Sequence, residues 1–274
     1  MKKLIAFVLA LSLALVAFAA TAETAATLKA GTSPDFPPFE SMDDNNNVIG
    51  FDADLAAEIS KDIGMQIVFE ATNFDSIVTG VQTGLYDLGI SGMYITEERM
   101  ANVDFSIPYL KDTQSCIIKV DSGLADNASL KGKKIGSQAG TTGIDSAEAS
   151  TDESNVFSYT KALDAVMDLQ GGKLDAVITD TPVAKRILAE LNDSTLVISD
   201  TISFPSQDYG IALTKGNTDL KAKIDASIQR MQADGTIDAL VKKWDIYGDA
   251  AAAEATDAPA DTEATEAPAA TTAQ

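Results

Sequence analysis

The chain has 274 residues, a formal net charge of −21, no histidine and one cysteine. Without histidine, Ser-His-Asp and Cys-His catalysis lack their base and a zinc site of the usual His/Cys type lacks ligands, so neither metal nor cofactor is expected. The acid excess repels nucleic acid and anionic membrane, since either partner needs clustered Lys and Arg.

The chain opens "MKKLIAFVLALSLALVAFAATAETAA": two lysines, an apolar run, then the small residues Ala20-Thr21-Ala22. This is the pattern of a secretory signal peptide over residues 1–22, so the protein is expected to be exported, with a mature start near Glu23. The alternative, a retained membrane anchor, fits less well, because the run falls short of the roughly 20 apolar residues that a span prefers. Cys116 lies far from the cleavage site. Lipid attachment through an N-terminal cysteine is therefore not expected, and the location is periplasmic or extracellular. A lone cysteine also leaves no intrachain disulfide.

"TLKAGTS" predicts a strand, "FDADLAAEISKDIG" an amphipathic helix closed by Gly64, and "MQIVFEAT" a strand. "NFDSIVTGVQTG" predicts a helix stopped at Gly84, and "YDLGISG" another strand. A second series follows: "KKIGSQAG" and "SNVFSYT" as strands, "KALDAVMDLQGG" as a helix, "LDAVITD" as a strand and "TPVAKRILAEL" as a helix. After Gly248 the chain turns to Ala, Thr, Pro, Asp and Glu. Residues 249–274 are therefore expected to be a disordered acidic tail that cannot bury enough surface to offset its ordering entropy. The alternation of strand and helix predicts an α/β fold with largely parallel sheets. Each series ends a strand in polar residues, where open α/β sheets bind ligands, so two such lobes face to face would make a cleft.

In order, "GTSPDFPPFES", "VIGFDADLAAEIS", "TNFDSIVTGVQTGLYDLGISGMYITEERMANVDFSIPY", "LKGKKIGSQAGTTG", "GGKLDAVITD" and "DGTIDALVKKW" resemble the successive motifs of the family 3 extracellular solute-binding proteins, the amino-acid receptors of ABC importers. The resemblance implies a type II periplasmic-binding-protein fold, two βα lobes joined by two crossing segments. Lobe 1 would take residues 27–110 plus 206–248 and lobe 2 residues 111–205, with crossings near "PYLKD" and "SFPSQD". It also implies a binding protein rather than an enzyme, a free amino acid as small-molecule ligand, the importer's membrane subunits as partner, and a monomer.

A free amino acid presents a carboxylate, an ammonium and a side chain. In the family, the arginine at the position of Arg99 clamps the α-carboxylate, for which a guanidinium fork is well matched. Ser91 and Gly92 end the preceding strand; glycine admits close approach, and the Ser91 carbonyl or hydroxyl could accept from the ligand. Tyr94 departs from the family's usual Thr or Ser, leaving its backbone N–H or its ring to serve. Phe36 and Phe74 match the aromatic pair that sandwiches the ligand side chain, while Phe39 and Phe51 are expected in the core. Thr141 and Thr142 are expected at a helix N-terminus suited to a carboxylate. Asp180 matches the aspartate that receives the α-ammonium, and Asp-Thr-Pro could also make it a helix cap. The mechanism implied is binding to lobe 1 followed by closure of lobe 2.

Receptors for basic amino acids in the family often carry an acid where Ser33 stands, and Asp35 is expected to point away. A neutral polar ligand is therefore expected. Two alternatives remain: an enzyme like cyclohexadienyl dehydratase on the same fold, which would need a general acid where Asp180 is the obvious candidate, and a ligand-sensing module.

Overall fold

The structure is a computed structural model that describes residues 26–248; the expected signal peptide and acidic tail lie outside the described residues. In chain order the first half runs β1 (Thr27–Thr32), β2 (Asp35–Phe36), β3 (Glu40–Met42), β4 (Val48–Ile49), α1 (Phe51–Ile63), β5 (Gln66–Ala71), α2 (Phe74–Gln82), β6 (Leu88–Gly89), α3 (Glu97–Asn102) and β7 (Asp104–Phe105). Then come β8 (Leu110–Asp112), β9 (Gln114–Lys119), β10 (Ile135–Gln138), α4 (Thr142–Ser150), β11 (Val156–Tyr159), α5 (Ala162–Gln170), β12 (Ala176–Asp180) and α6 (Thr181–Leu191). The chain closes with β13 (Leu196–Ser203), β14 (Gln207–Tyr209), β15 (Ala212–Leu213), α7 (Thr218–Ala233) and α8 (Thr236–Lys243).

Two five-stranded sheets carry the fold, in the orders β5-β1-β6-β15-β7 and β11-β10-β12-β9-β13. Only the βα portions are parallel: β1 pairs parallel with β5 and β6, and β10 with β11 and β12. β15 pairs antiparallel with β6 and β7, and β9 with β12 and β13. The expectation of largely parallel sheets is thus corrected. β9 and β15 follow the crossings between sheets, and each adds an antiparallel strand without the helical crossover that a parallel neighbour needs.

The chain crosses between the sheets twice, and the crossing strands β8 and β14 pair with each other, Leu110 opposite Tyr209 and Asp112 opposite Gln207. An aromatic column leads from the first lobe into this ribbon. Phe51 stacks on Tyr109 at 6.0 Å, Tyr109 on Tyr209 at 6.1 Å, and Tyr209 on Tyr94 at 4.3 Å. Such pairs contribute about 0.5–1.5 kcal/mol each beyond their burial. As expected, Phe39 and Phe51 are fully buried.

α1 ends as its sequence predicts, at Gly64 with φ 67°, a left-handed stop that glycine adopts without a Cβ penalty. The C-terminal ends of β1, β6, β10 and β12 all lie at the face where the lobes meet, which brings the polar residues following them together. Among the described residues, no helix is long and apolar enough to cross a membrane.

Candidate functional site

Arg99 sits on α3, whose N-cap Thr96 accepts a hydrogen bond from the Arg99 amide at 3.2 Å. This cap fixes where the side chain leaves the backbone. The guanidinium is buried, lies 5.3 Å above the Phe74 ring, and donates to the Tyr94 carbonyl at 2.6 Å and, across the lobes, to the Gly140 carbonyl at 2.9 Å. Two donors are thereby spent on positioning, and others on the fork are left for a carboxylate. Burial pulls the Arg99 pKa down while Asp180, Asp145 and Glu98 push it up. Phe74 is therefore a platform for the guanidinium.

Opposite, Asp180 ends β12 and is buried, accepting from the Tyr209 hydroxyl at 2.7 Å. Its side chain makes no capping bond to α6, so the expected dual role is corrected. The α6 amide of Thr181 instead donates to Asp112 Oδ2 at 3.2 Å. Asp112, on the crossing strand, does the capping and frees Asp180 for the cleft. Burial, reinforced by Asp112, raises the Asp180 pKa to about 8, and burial raises that of Asp112 to about 7. Both are poised to shed a proton when a cation arrives.

The Tyr94 ring points into the crossing ribbon and is buried, its hydroxyl 3.2 Å from that of Tyr209 and 3.4 Å from Asp112 Oδ2. The ring stacks on that of Tyr209 at 4.3 Å.

Thr142 begins α4 and Thr141 is its N-cap residue, as expected, but the Thr141 hydroxyl turns back to the Gln138 carbonyl at 2.7 Å. The Thr142 hydroxyl accepts from Gln114 Nε2 at 2.8 Å, and Gln114 is held in turn by a 2.6 Å bond from Ser146. A hydroxyl that accepts in this way keeps its own proton for an anion.

Ser91 is committed to the floor of the cleft. Its hydroxyl donates to Glu40 at 2.7 Å and accepts from the Ser33 amide at 2.9 Å, which leaves the Ser91 carbonyl for a ligand. The Gly92 amide is likewise spent on Asp52 at 2.7 Å. Gly92 itself has φ 47°, and a Cβ there would lie 3.3 Å from the Phe36 ring. Beneath them Glu40 and Asp52 form a buried carboxyl pair. Burial and the Asp52 charge push the Glu40 pKa well above its ordinary value, while Asp52 is raised to about 6, chiefly by burial.

Asp35 overturns its expectation. Its carboxylate is turned to the other lobe and accepts from Gln138 Nε2 at 3.2 Å. Gln138, Asp112, Gln114 and Tyr209 stand around the candidate site and were not singled out in the sequence; the polar ends of the "KKIGSQ" strand and the "PYLKDTQ" crossing were the available signal. Among the described residues, no cluster of three or more His, Cys, Asp or Glu could hold a metal ion.

A model of the bacterial extracellular solute-binding proteins, family 3, matches residues 28–247. The chain belongs to this family. This solute-binding protein is 36% identical over 247 residues to ABC transporter arginine-binding protein 1 of Escherichia coli K12, covering 89% of the chain and 99% of the relative. It is similar to the structure of an ancestral arginine-binding protein bound to arginine, with TM-score 0.75, 36% identity and coverage of 81% and 99% of the two chains. A third similarity is to an ancestral amino acid-binding protein that is a precursor of cyclohexadienyl dehydratase, with TM-score 0.71, 33% identity and coverage of 80% and 95%.

The meeting of the lobes can be tested at Gly140, where φ is 72° and a Cβ would come within 2.8 Å of Asp75 Cα on the facing lobe. Gly140→Ala is expected to weaken ligand binding about tenfold or more, because the clash exists only with the lobes together. Calorimetric titration measures the affinity, and small-angle scattering should show a reduced ligand-induced contraction.

Proposed function

We propose that this chain is an extracytoplasmic receptor that takes a free amino acid into the interlobe cleft and hands it to the membrane subunits of an ABC importer. The observation that carries the reading is the opposition of Arg99, on the first lobe, to Asp180, on the second, Arg99 held by the Tyr94 and Gly140 carbonyls and Asp180 by the Tyr209 hydroxyl. Arg99 and the Thr142 hydroxyl take the α-carboxylate, and Asp180 with the Ser91 carbonyl takes the ammonium. Phe36, Phe74 and Tyr94 exclude water, which strengthens these charge contacts. Thr141 and Gly92 act through the backbone, shaping the helix start and the floor. Contacts across the lobes, such as Arg99 to Gly140, supply the free energy that favours the closed arrangement the importer would recognise. The relatives' names support the amino-acid class.

For the ligand side chain, Ser33 in place of an acid supports a neutral polar group. A cationic side chain is the second reading, favoured by the carboxylate of Asp35 at the seam. A dehydratase-like enzyme is favoured only by the raised pKa values of Asp180 and Asp112, since a protonated carboxyl could act as general acid.

A thermal-shift screen of protein unfolded and refolded to strip carried-over ligand tests these readings together. One or a few of the twenty amino acids at about 100 times Kd should add roughly 2.7 kcal/mol of stability. Silence to all of them, with turnover of prephenate, would replace the receptor by the enzyme.

A further inference from the structure

Glu40 opens β3 and Asp52 stands in the first turn of α1, and both are fully buried. Donors account for three of the pair's oxygens: Glu40 Oε1 accepts from the Ser91 hydroxyl at 2.7 Å, Asp52 Oδ2 from the Gly92 amide at 2.7 Å and Asp52 Oδ1 from the Tyr109 hydroxyl at 3.0 Å. Glu40 Oε2 is the exception, buried and without a hydrogen-bond donor. The two carboxyls nevertheless meet in a side-chain hydrogen bond. Ionised carboxylates only accept, so a bond between two of them requires a proton on one.

Asp52 is the worse place for that proton. Both of its oxygens already accept, and the amides at the start of α1 favour a negative charge there. A proton on Glu40 Oε2 instead turns the orphaned acceptor into the donor of the bond to Asp52, and every polar atom of the pair is then satisfied. The other titratable groups that act on the pair are Asp35 on β2 and Tyr109 beside β8, and neither supplies a cation. Burial and the Asp52 charge both disfavour an ionised Glu40.

We propose that Glu40 and Asp52 are positioning residues for ligand binding, one proton held on Glu40 Oε2 and donated to Asp52 locking the Ser91–Gly92 segment with the Ser91 carbonyl toward the cleft. The pair joins β3 and α1 to the segment that follows β6 and, through Tyr109, to the crossing strand β8. Loss of the proton would set two negative charges side by side with no cation between them, and the segment they hold would lose its anchor. The role of the Ser91 carbonyl rests on the amino-acid receptor reading; the place of the proton does not.

The test uses the refolded full chain and whichever of the twenty amino acids binds it most tightly. Glu40→Met, which keeps the length of the side chain and removes both oxygens, is expected to weaken binding by about tenfold or more in calorimetric titration. Glu40→Gln donates to Asp52 and accepts from Ser91 as the protonated acid does, so it should restore the affinity to within about threefold of the unsubstituted chain. Asp52→Asn should lose about tenfold or more, because an amide oxygen replaces two acceptors and either Gly92 or Tyr109 is left without one. The infrared difference between the unsubstituted chain and Glu40→Gln at about pH 8, above the Asp52 pKa of about 6, should contain the carbonyl stretch of a protonated carboxyl. A carboxylate band in its place would overturn the proposal, whether or not the other variants fold. So would Asp52→Asn binding as tightly as Glu40→Gln. Failure of every amino acid to bind the unsubstituted chain would remove the receptor reading and the positioning role with it, while the infrared band would still report the proton, so the two failures are distinguishable.

Discussion

Arg99→Ala is expected to raise the dissociation constant for the amino-acid ligand by about 100-fold or more. A charge-assisted bidentate contact is worth about 1.5–3 kcal/mol, and its removal leaves the ligand carboxylate desolvated and unpaired, which adds to the loss. The substitution also deletes the bond to Gly140 that joins the lobes. The fold should persist, because Arg99 projects from a short helix whose cap, Thr96, binds the backbone amide and not the side chain. Arg99→Lys should recover only part of the affinity, since an ammonium cannot present the fork. Circular dichroism with calorimetric titration separates the two effects: a folded variant with undiminished affinity would refute the assignment of Arg99.

Affinity should rise with pH between about 5.5 and 8, by about tenfold per unit where one proton is released on binding. The sign follows from Asp180. Burial and the neighbouring Asp112 raise its pKa from 3.8 to about 8, so below that pH the carboxyl is protonated and must lose its proton to face the ligand ammonium. Stability of the unliganded protein should change in the opposite sense. A carboxyl whose folded pKa exceeds its unfolded value binds more protons in the folded state, so its contribution falls as pH climbs from about 4 to about 8. Asp180→Asn should weaken binding at neutral pH and flatten the pH dependence, leaving whatever Asp112, raised to about 7, supplies. Titrations across this pH range in buffers of different ionisation enthalpy count the protons directly. A steep pH dependence that persists in Asp180→Asn would assign the titration to another group.

How far the sequence carried this account depends on what each residue does locally. α1 was legible because its apolar period and the Gly64 stop are encoded within one turn of where they act. The βα series was legible for the same reason. The antiparallel strands β9 and β15 were not, because their partners are distant in the chain and short strands carry little periodic signal.

At the site, Arg99 and Asp180 were singled out through the family resemblance, since an arginine in a strand-to-helix loop and an aspartate before Thr-Pro have ordinary local explanations. The direction of Asp35 was not legible, since whether a carboxylate on a two-residue strand faces solvent or the other lobe is decided by Gln138, more than one hundred positions away. Ser91 shows the same limit: Glu40 and the Ser33 amide claim its hydroxyl, and neither lies near it in the chain. The role of Asp112 depends on α6 beginning beside the crossing strand, a fact of topology that no local pattern announces.

The central claim is that the cleft reads the zwitterion of a free amino acid through opposed charges. It is tested most directly by titrating the refolded protein with its best amino-acid ligand, the N-acetyl form of that ligand and its carboxamide. Binding of the free amino acid with loss of about 100-fold or more for each blocked form is the predicted result. Equal affinity for either blocked form would contradict the account, because Arg99 or Asp180 would then have no charge to meet.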